Sequence, residues 1–140
     1  MNRFAPLALA ALLAIPALVA HATATVGQPA PAFSVKDSQG KSHRLAQYRG
    51  KTVVLEWTND QCPFVQKHYG AGNMQALQKT AAKAGVVWLS VISSAPGKQG
   101  HVDGKQASAL TAARKAAPAA VLLDGAGTVG RAYGAKTTPH

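Results

Sequence analysis

Three short apolar runs, at residues 52–58, 86–92 and 119–123, constrain this chain more than any other feature. The first two are rich in β-branched residues and apolar at nearly every position, which suits strands covered on both faces. Between them lie stretches of helical spacing. Residues 62–69 carry Phe64, Val65 and Tyr69 on an apolar side, and Gly70-Ala71-Gly72 interrupts them. A second segment follows with Asn73 as its cap and Met74, Leu77, Ala81 and Ala84 on one face. Residues 107–117 read as an alanine-rich helix, with Asp103 as an upstream cap and Pro118 as its stop. Thr128 caps a last short helix at residues 129–133. Ahead of all this, residues 33–35 and 42–45 form a hairpin around the turn Asp37-Ser38-Gln39-Gly40. Strands that alternate with helices give an α/β layer structure with parallel strands. Ligands in such sheets sit at the carboxyl ends of the strands. Cys62 and the long polar segment 93–106 therefore fall on one rim.

The first residues are not part of that fold. Met1-Asn2-Arg3 is a basic start, residues 4–19 are uncharged and apolar, and Ala20-His21-Ala22 ends in the small residues a signal peptidase reads. Two prolines and a short run argue against a stable membrane span. The expectation is a cleaved signal peptide at 1–22, one domain at 23–140, and a periplasmic or secreted location. The formal charge of +10 is spread over scattered lysines and arginines, with no cluster interleaved with aromatics. Nucleic-acid binding is therefore excluded, and the charge reads as solubility.

An exported chain with a single cysteine holds a free thiol or half of an intermolecular bridge, unless the residue is buried and inert. Cys62 follows a strand and opens a helix, with Pro63 at the first helical position, where a missing N–H is harmless. The free N–H groups and dipole there favour a thiolate, although Asp60 opposes it if it faces the sulfur. His68 falls on the far side of the helix. Glu56 inside an apolar strand is costly unless it is paired or protonated. The alternatives are a proton-transfer role, or a carboxylate facing a solvent gap or a lysine. Metal-ligand spacing, a phosphate loop, a serine elbow and a carboxylate pair are all missing from the sequence. No cofactor is expected, and a copper ion between Cys62 and His140 is a remote option.

Gly27-x-x-Ala30-Pro31-x-Phe33, Asp37-x-x-Gly40, Gly50-Lys51 and the strand into Cys62 resemble the opening of redoxin domains. These are of the alkyl hydroperoxide reductase/thiol-specific antioxidant type, in the thioredoxin-like superfamily that includes the peroxiredoxins. Cys62-Pro63-Phe64-Val65-x-Lys67-His68-Tyr69, Gly72-Asn73-Met74-Gln75, Ser93-Ser94-Ala95-Pro96-Gly97, Leu123-Asp124 and the stretch from Tyr133 to His140 are similar to exported peroxiredoxin-like proteins with one cysteine. The resemblance implies a thioredoxin-like fold: a central mixed sheet with flanking helices and an amino-terminal hairpin. It also implies two strands and a helix beyond Pro139, so the domain is expected to be incomplete.

By the same resemblance Cys62 stands at the nucleophilic first cysteine of Cys-x-x-Cys, and Val65 replaces the second. Peroxidases place their attacking cysteine at that second position, so thiol–disulfide exchange is expected ahead of peroxide reduction. Glu56 matches the buried acid six residues before the nucleophile. Thr138-Pro139 matches the cis-proline site that, with Pro63, faces a bound substrate. Only through this resemblance, which implies a proline beside the sulfur at 139, is His140 the better neighbour for the thiol. The implied partners are an external thiol or disulfide, on a protein or a small molecule, with a peroxide as a further substrate. The alternative is a non-catalytic binding module that uses the 93–106 loop.

Overall fold

The computed structural model describes residues 23–140. The expected leader at 1–22 lies outside them. No helix among the described residues is long and apolar enough to cross a membrane.

Strands β1 (Ser34–Lys36) and β2 (Ser42–Arg44) form the antiparallel hairpin, followed by a 3-10 turn at Leu45–Tyr48. Strand β3 (Val53–Trp57) leads to helices α1 (Pro63–Gly70) and α2 (Asn73–Lys83). Then come β4 (Val87–Ile92), α3 (Gly104–Ala113), β5 (Ala120–Leu123) and α4 (Thr128–Ala132). Strands β3, β4 and β5 pair in that order, all parallel, with Glu56 beside Ser90 and Val91 beside Leu122. Antiparallel pairing appears at both edges. The hairpin meets β5 through a bridge between Asp37 and Leu122. At the other edge Trp57 and His140 exchange both backbone hydrogen bonds, at 3.1 and 3.3 Å. The sheet is thus mixed, as the resemblance implied.

Alternation along each strand divides the two faces. Trp57, Leu89, Val91 and Leu122 point to one side and bury against Phe33 and Val129. Ile92 and Val121 point to the other, against Ala107 of α3. That second face also receives Glu56 and Ser90, so it is apolar at one end and polar beneath α1 and α2.

The helices depart from expectation in detail. Phe64 is 65% exposed, and only Val65 and Tyr69 of α1 are buried. In α2 Leu77 is 53% exposed while Gln78 is fully buried. Apolarity pointed at Leu77, but it is position 78 that faces the buried Glu56 and Tyr69, which an amide satisfies. Gly72, at φ +77°, occupies the cap position assigned to Asn73. Helix α3 begins at Gly104, because Asp103 and Gln106 close a reciprocal capping box. It ends at Ala113, well before the expected stop. Gly127 precedes α4, and Asp124 supplies the acceptor for the Val129 and Gly130 N–H groups instead of Thr128.

A buried cluster ties the hairpin together. One oxygen of Asp37 accepts from the Gln39 and Lys41 N–H groups, both at 2.9 Å, and the other meets His43 Nε2 at 2.8 Å. His43 Nδ1 in turn meets the Tyr48 hydroxyl. Burial alone would raise the Asp37 carboxyl, but His43 and the two N–H groups outweigh it and hold it below its ordinary value of 3.8. A depressed carboxyl stabilises the fold above the unfolded value. That contribution is lost as pH falls below about 3.8 and through the lower folded value. Asp37→Asn should cost about 1–3 kcal/mol at neutral pH and flatten the acid side of the stability profile. Denaturant melts from pH 7 to pH 3 measure this, and parallel profiles for the two proteins would contradict it.

Candidate active site

The rim at the end of β3 is built by a short turn. Thr58 N–H still bonds to Val91 O at 3.0 Å, prolonging the ladder by one residue. Asn59 then folds the chain back: its Oδ1 accepts from Gln61 N–H at 2.9 Å, and its carbonyl accepts from Cys62 N–H at 3.1 Å. This local bonding is what asparagine contributes to turns. Cys62 is extended, at φ −78° and ψ 123°, and its carbonyl accepts the first helical bond from Gln66 at 2.9 Å. It is therefore the N-cap residue of α1, with Pro63 behind it as the sequence predicts.

The thiol is partly exposed. It donates to the Thr138 carbonyl at 3.1 Å, across the cis Thr138–Pro139 bond. The Val65 N–H pulls the thiol below its ordinary value most strongly. Partial burial opposes this, and the Thr138 side chain and Phe64 N–H add to the lowering. The cap forms no closed hydrogen bond to the neutral thiol, so these N–H groups act as free dipoles awaiting negative charge. The Thr138 carbonyl works the other way, since it accepts only from the protonated thiol. The helix amides prevail.

Cys62, Pro63, Thr138 and Pro139 are thus brought together around one sulfur. His140 is not: its ring packs edge-on against Trp57 at 5.8 Å, because antiparallel pairing puts both side chains on the same face. Asp60 lines a small cavity with Tyr69 and Arg114 and is not among the groups acting on the sulfur. Among the described residues no three His, Cys, Asp or Glu side chains converge as metal ligands.

Glu56 is 4% exposed and lies on the sheet face under α1 and α2. Its carboxylate meets neither solvent nor a lysine. Tyr69 OH donates to it at 2.9 Å, Trp88 Nε1 at 2.8 Å, Ser90 Oγ at 3.0 Å and Gln78 Nε2 at 3.4 Å. None of these bonds involves Cys62. Burial, then the charge of Glu56, pushes the Tyr69 hydroxyl far above the usual tyrosine range, so it remains a donor. Arg114 stacks over the same ring, 4.9 Å from its centre. Sequence reading missed Tyr69, Gln78, Trp88 and Ser90 as donors. The available signal was the placing of Ser90 and Gln78, two polar residues within otherwise apolar stripes.

Comparison with known proteins agrees with this geometry. Residues 73 in number align at 33% identity with the thiol-disulfide oxidoreductase ResA of Geobacillus thermodenitrificans, covering 47% of this chain and 42% of that protein. The chain thus spans less than half the length of the curated relative it matches. An uncharacterized conserved protein from Geobacillus kaustophilus superposes with a TM-score of 0.72 at 21% identity, over 82% of this chain and 60% of that one. The pneumococcal exposed lipoprotein thioredoxin of Streptococcus pneumoniae superposes at 0.59 with 24% identity, over 77% and 76%. These structural likenesses establish the thioredoxin-like fold. The family model described as AhpC/TSA family matches residues 26–140. By that match, with a thioredoxin-like sheet that ends in a cysteine at a helix mouth, the chain belongs to the AhpC/TSA family of redoxins.

Proposed function

We propose that this chain is an exported thiol–disulfide oxidoreductase domain in which Cys62 is the nucleophile. One observation carries the reading: Cys62 is the N-cap residue of α1, and the free Val65 and Phe64 N–H groups there favour its anion. Ionised Cys62 attacks one sulfur of a partner disulfide. A new S–S bond forms to Cys62, the partner's S–S bond breaks, and the leaving sulfur departs as a thiolate. The chain holds no second cysteine. An external thiolate therefore attacks the mixed disulfide, joins the partner's sulfur and releases Cys62 as a thiolate again. No net oxidation of the protein occurs.

Pro63, Thr138 and Pro139 form the wall against which the partner lies, with the Thr138 backbone beside the reacting sulfur. Glu56 takes the buried-acid role that its position implies, moving protons beneath the site. Its support is its burial among four donors. Val65, at 1% exposure, leaves no second thiol and no peroxidatic cysteine, which favours exchange over peroxide chemistry. Export rests on the leader at 1–22, with residues 23–140 as the working domain. The test is incubation with a small disulfide at neutral pH, followed by intact mass. A single adduct mapped to Cys62 and removed by added thiol is expected, and an unmodified protein would end the reading.

A further inference from the structure

The loop between β4 and α3 comes back onto the turn that carries the thiol. Its own bonds make it a defined structure: Lys98 N–H to Ala95 O at 3.0 Å, His101 N–H to Lys98 O at 3.1 Å, and His101 Nδ1 to Ser94 O at 3.0 Å. Gly100 is buried, with φ +78°. A Cβ built there would overlap Cγ, Oδ1 and Nδ2 of Asn59 together. The Asn59 side chain therefore occupies the space that any larger residue at 100 would fill. Gly97, in the same loop, has almost the same backbone angle, φ +76°, but nothing lies near its missing side chain. Of these two loop glycines, Gly100 pairs its left-handed backbone with a close approach and Gly97 does not.

Asn59 is the residue on which the thiol's turn depends. Its Oδ1 holds Gln61 N–H and its carbonyl holds Cys62 N–H. Displacing its side chain would break the first bond and tilt the second. The sulfur would then move relative to the Val65 and Phe64 amides, and a misplacement of about 1 Å is enough to lower a rate a hundredfold.

We infer that Gly100 and Asn59 are positioning residues: the loop presses Asn59 into the conformation that aims Cys62 at its helix amides. A partner that moves this loop would thereby tune the thiol. The inference rests on the reading of Cys62 as nucleophile.

The test compares the pH–rate profile of Cys62 alkylation by iodoacetamide in four proteins: wild type, Gly97→Ala, Gly100→Ala and Asn59→Ala. Both glycine variants place a Cβ at nearly the same positive φ, and of the two the Gly100 variant drives it into Asn59. Gly100→Ala and Asn59→Ala should each raise the apparent thiol pKa by about one unit, a roughly tenfold loss of thiolate below it. Gly97→Ala should track the wild type. Coincident profiles for the two glycine variants would overturn the inference, as would a Gly100→Ala profile equal to wild type. If Gly100→Ala does not fold, Asn59→Ala alone decides in the same way. A wild-type thiol that titrates as a free one would end the functional reading instead. Amide exchange at Gln61 and Cys62 then settles the positioning: faster exchange in Gly100→Ala but not in Gly97→Ala upholds it, and equal exchange refutes it.

Discussion

Replacing Cys62 by serine should reduce disulfide exchange to the background of a protein without thiols, while leaving the fold intact or slightly firmer. The first half follows from count: the chain has one cysteine, and no other side chain can form the mixed disulfide. The second half follows from the cap. Cys62 makes no side-chain cap bond, whereas serine is a preferred N-cap that accepts from the second or third helical N–H. Cys62→Ser should thus gain a few tenths to about 1 kcal/mol. Activity and stability move in opposite directions, which separates a chemical role from a structural one. Mass spectrometry after exposure to a small disulfide and a urea melt on the same sample measure both. An adduct that persists in the serine variant would contradict the assignment.

Glu56→Ala should have the largest effect on stability. The substitution strands Tyr69 OH, Trp88 Nε1 and Ser90 Oγ as donors without an acceptor, on a face closed by α1 and α2. It also leaves a cavity. A buried donor left unpaired costs about 1–3 kcal/mol, and here three neutral donors are left so. We expect about 3–5 kcal/mol in total, a large part of the 5–15 kcal/mol, roughly, that holds a domain together. Glu56→Gln keeps one acceptor and places an NH₂ among donors, so its loss should be smaller. If Glu56 also moves protons for the site, the glutamine variant should slow exchange at neutral pH by about a hundredfold, the scale of one general acid–base group. Urea melts of the alanine variant that matched wild type would show the network to be energetically neutral.

The two residues differ in how far they could be read from the chain alone. Cys62 at the helix mouth was legible because strand, turn, Cys and Pro are contiguous, and local spacing fixes the cap. The parallel sheet was legible for the same reason, through β-branched runs of strand length. Gln78 was not. Its burial depends on Glu56, on Tyr69 and on the Ala117 N–H that its own oxygen accepts at 2.8 Å, partners brought together only by packing. Phe64 reads as core on apolarity, yet in the first turn of α1 it projects at the rim, where no element among the described residues covers it. Adjacency to Pro139 makes His140 an expected neighbour of the thiol. The exchange of hydrogen bonds with Trp57 sends its ring elsewhere. The seating of Gly100 on Asn59 joins two loops, and no local pattern encodes that.

On the proposed reading, the amides of α1 poise Cys62 as a thiolate. The pH dependence of its alkylation in the wild-type protein tests this most directly. The helix-mouth geometry predicts an inflection clearly below the free-thiol value of about 8.5, with rapid labelling at neutral pH. An inflection at or above about 8.5, with slow labelling throughout, would contradict it.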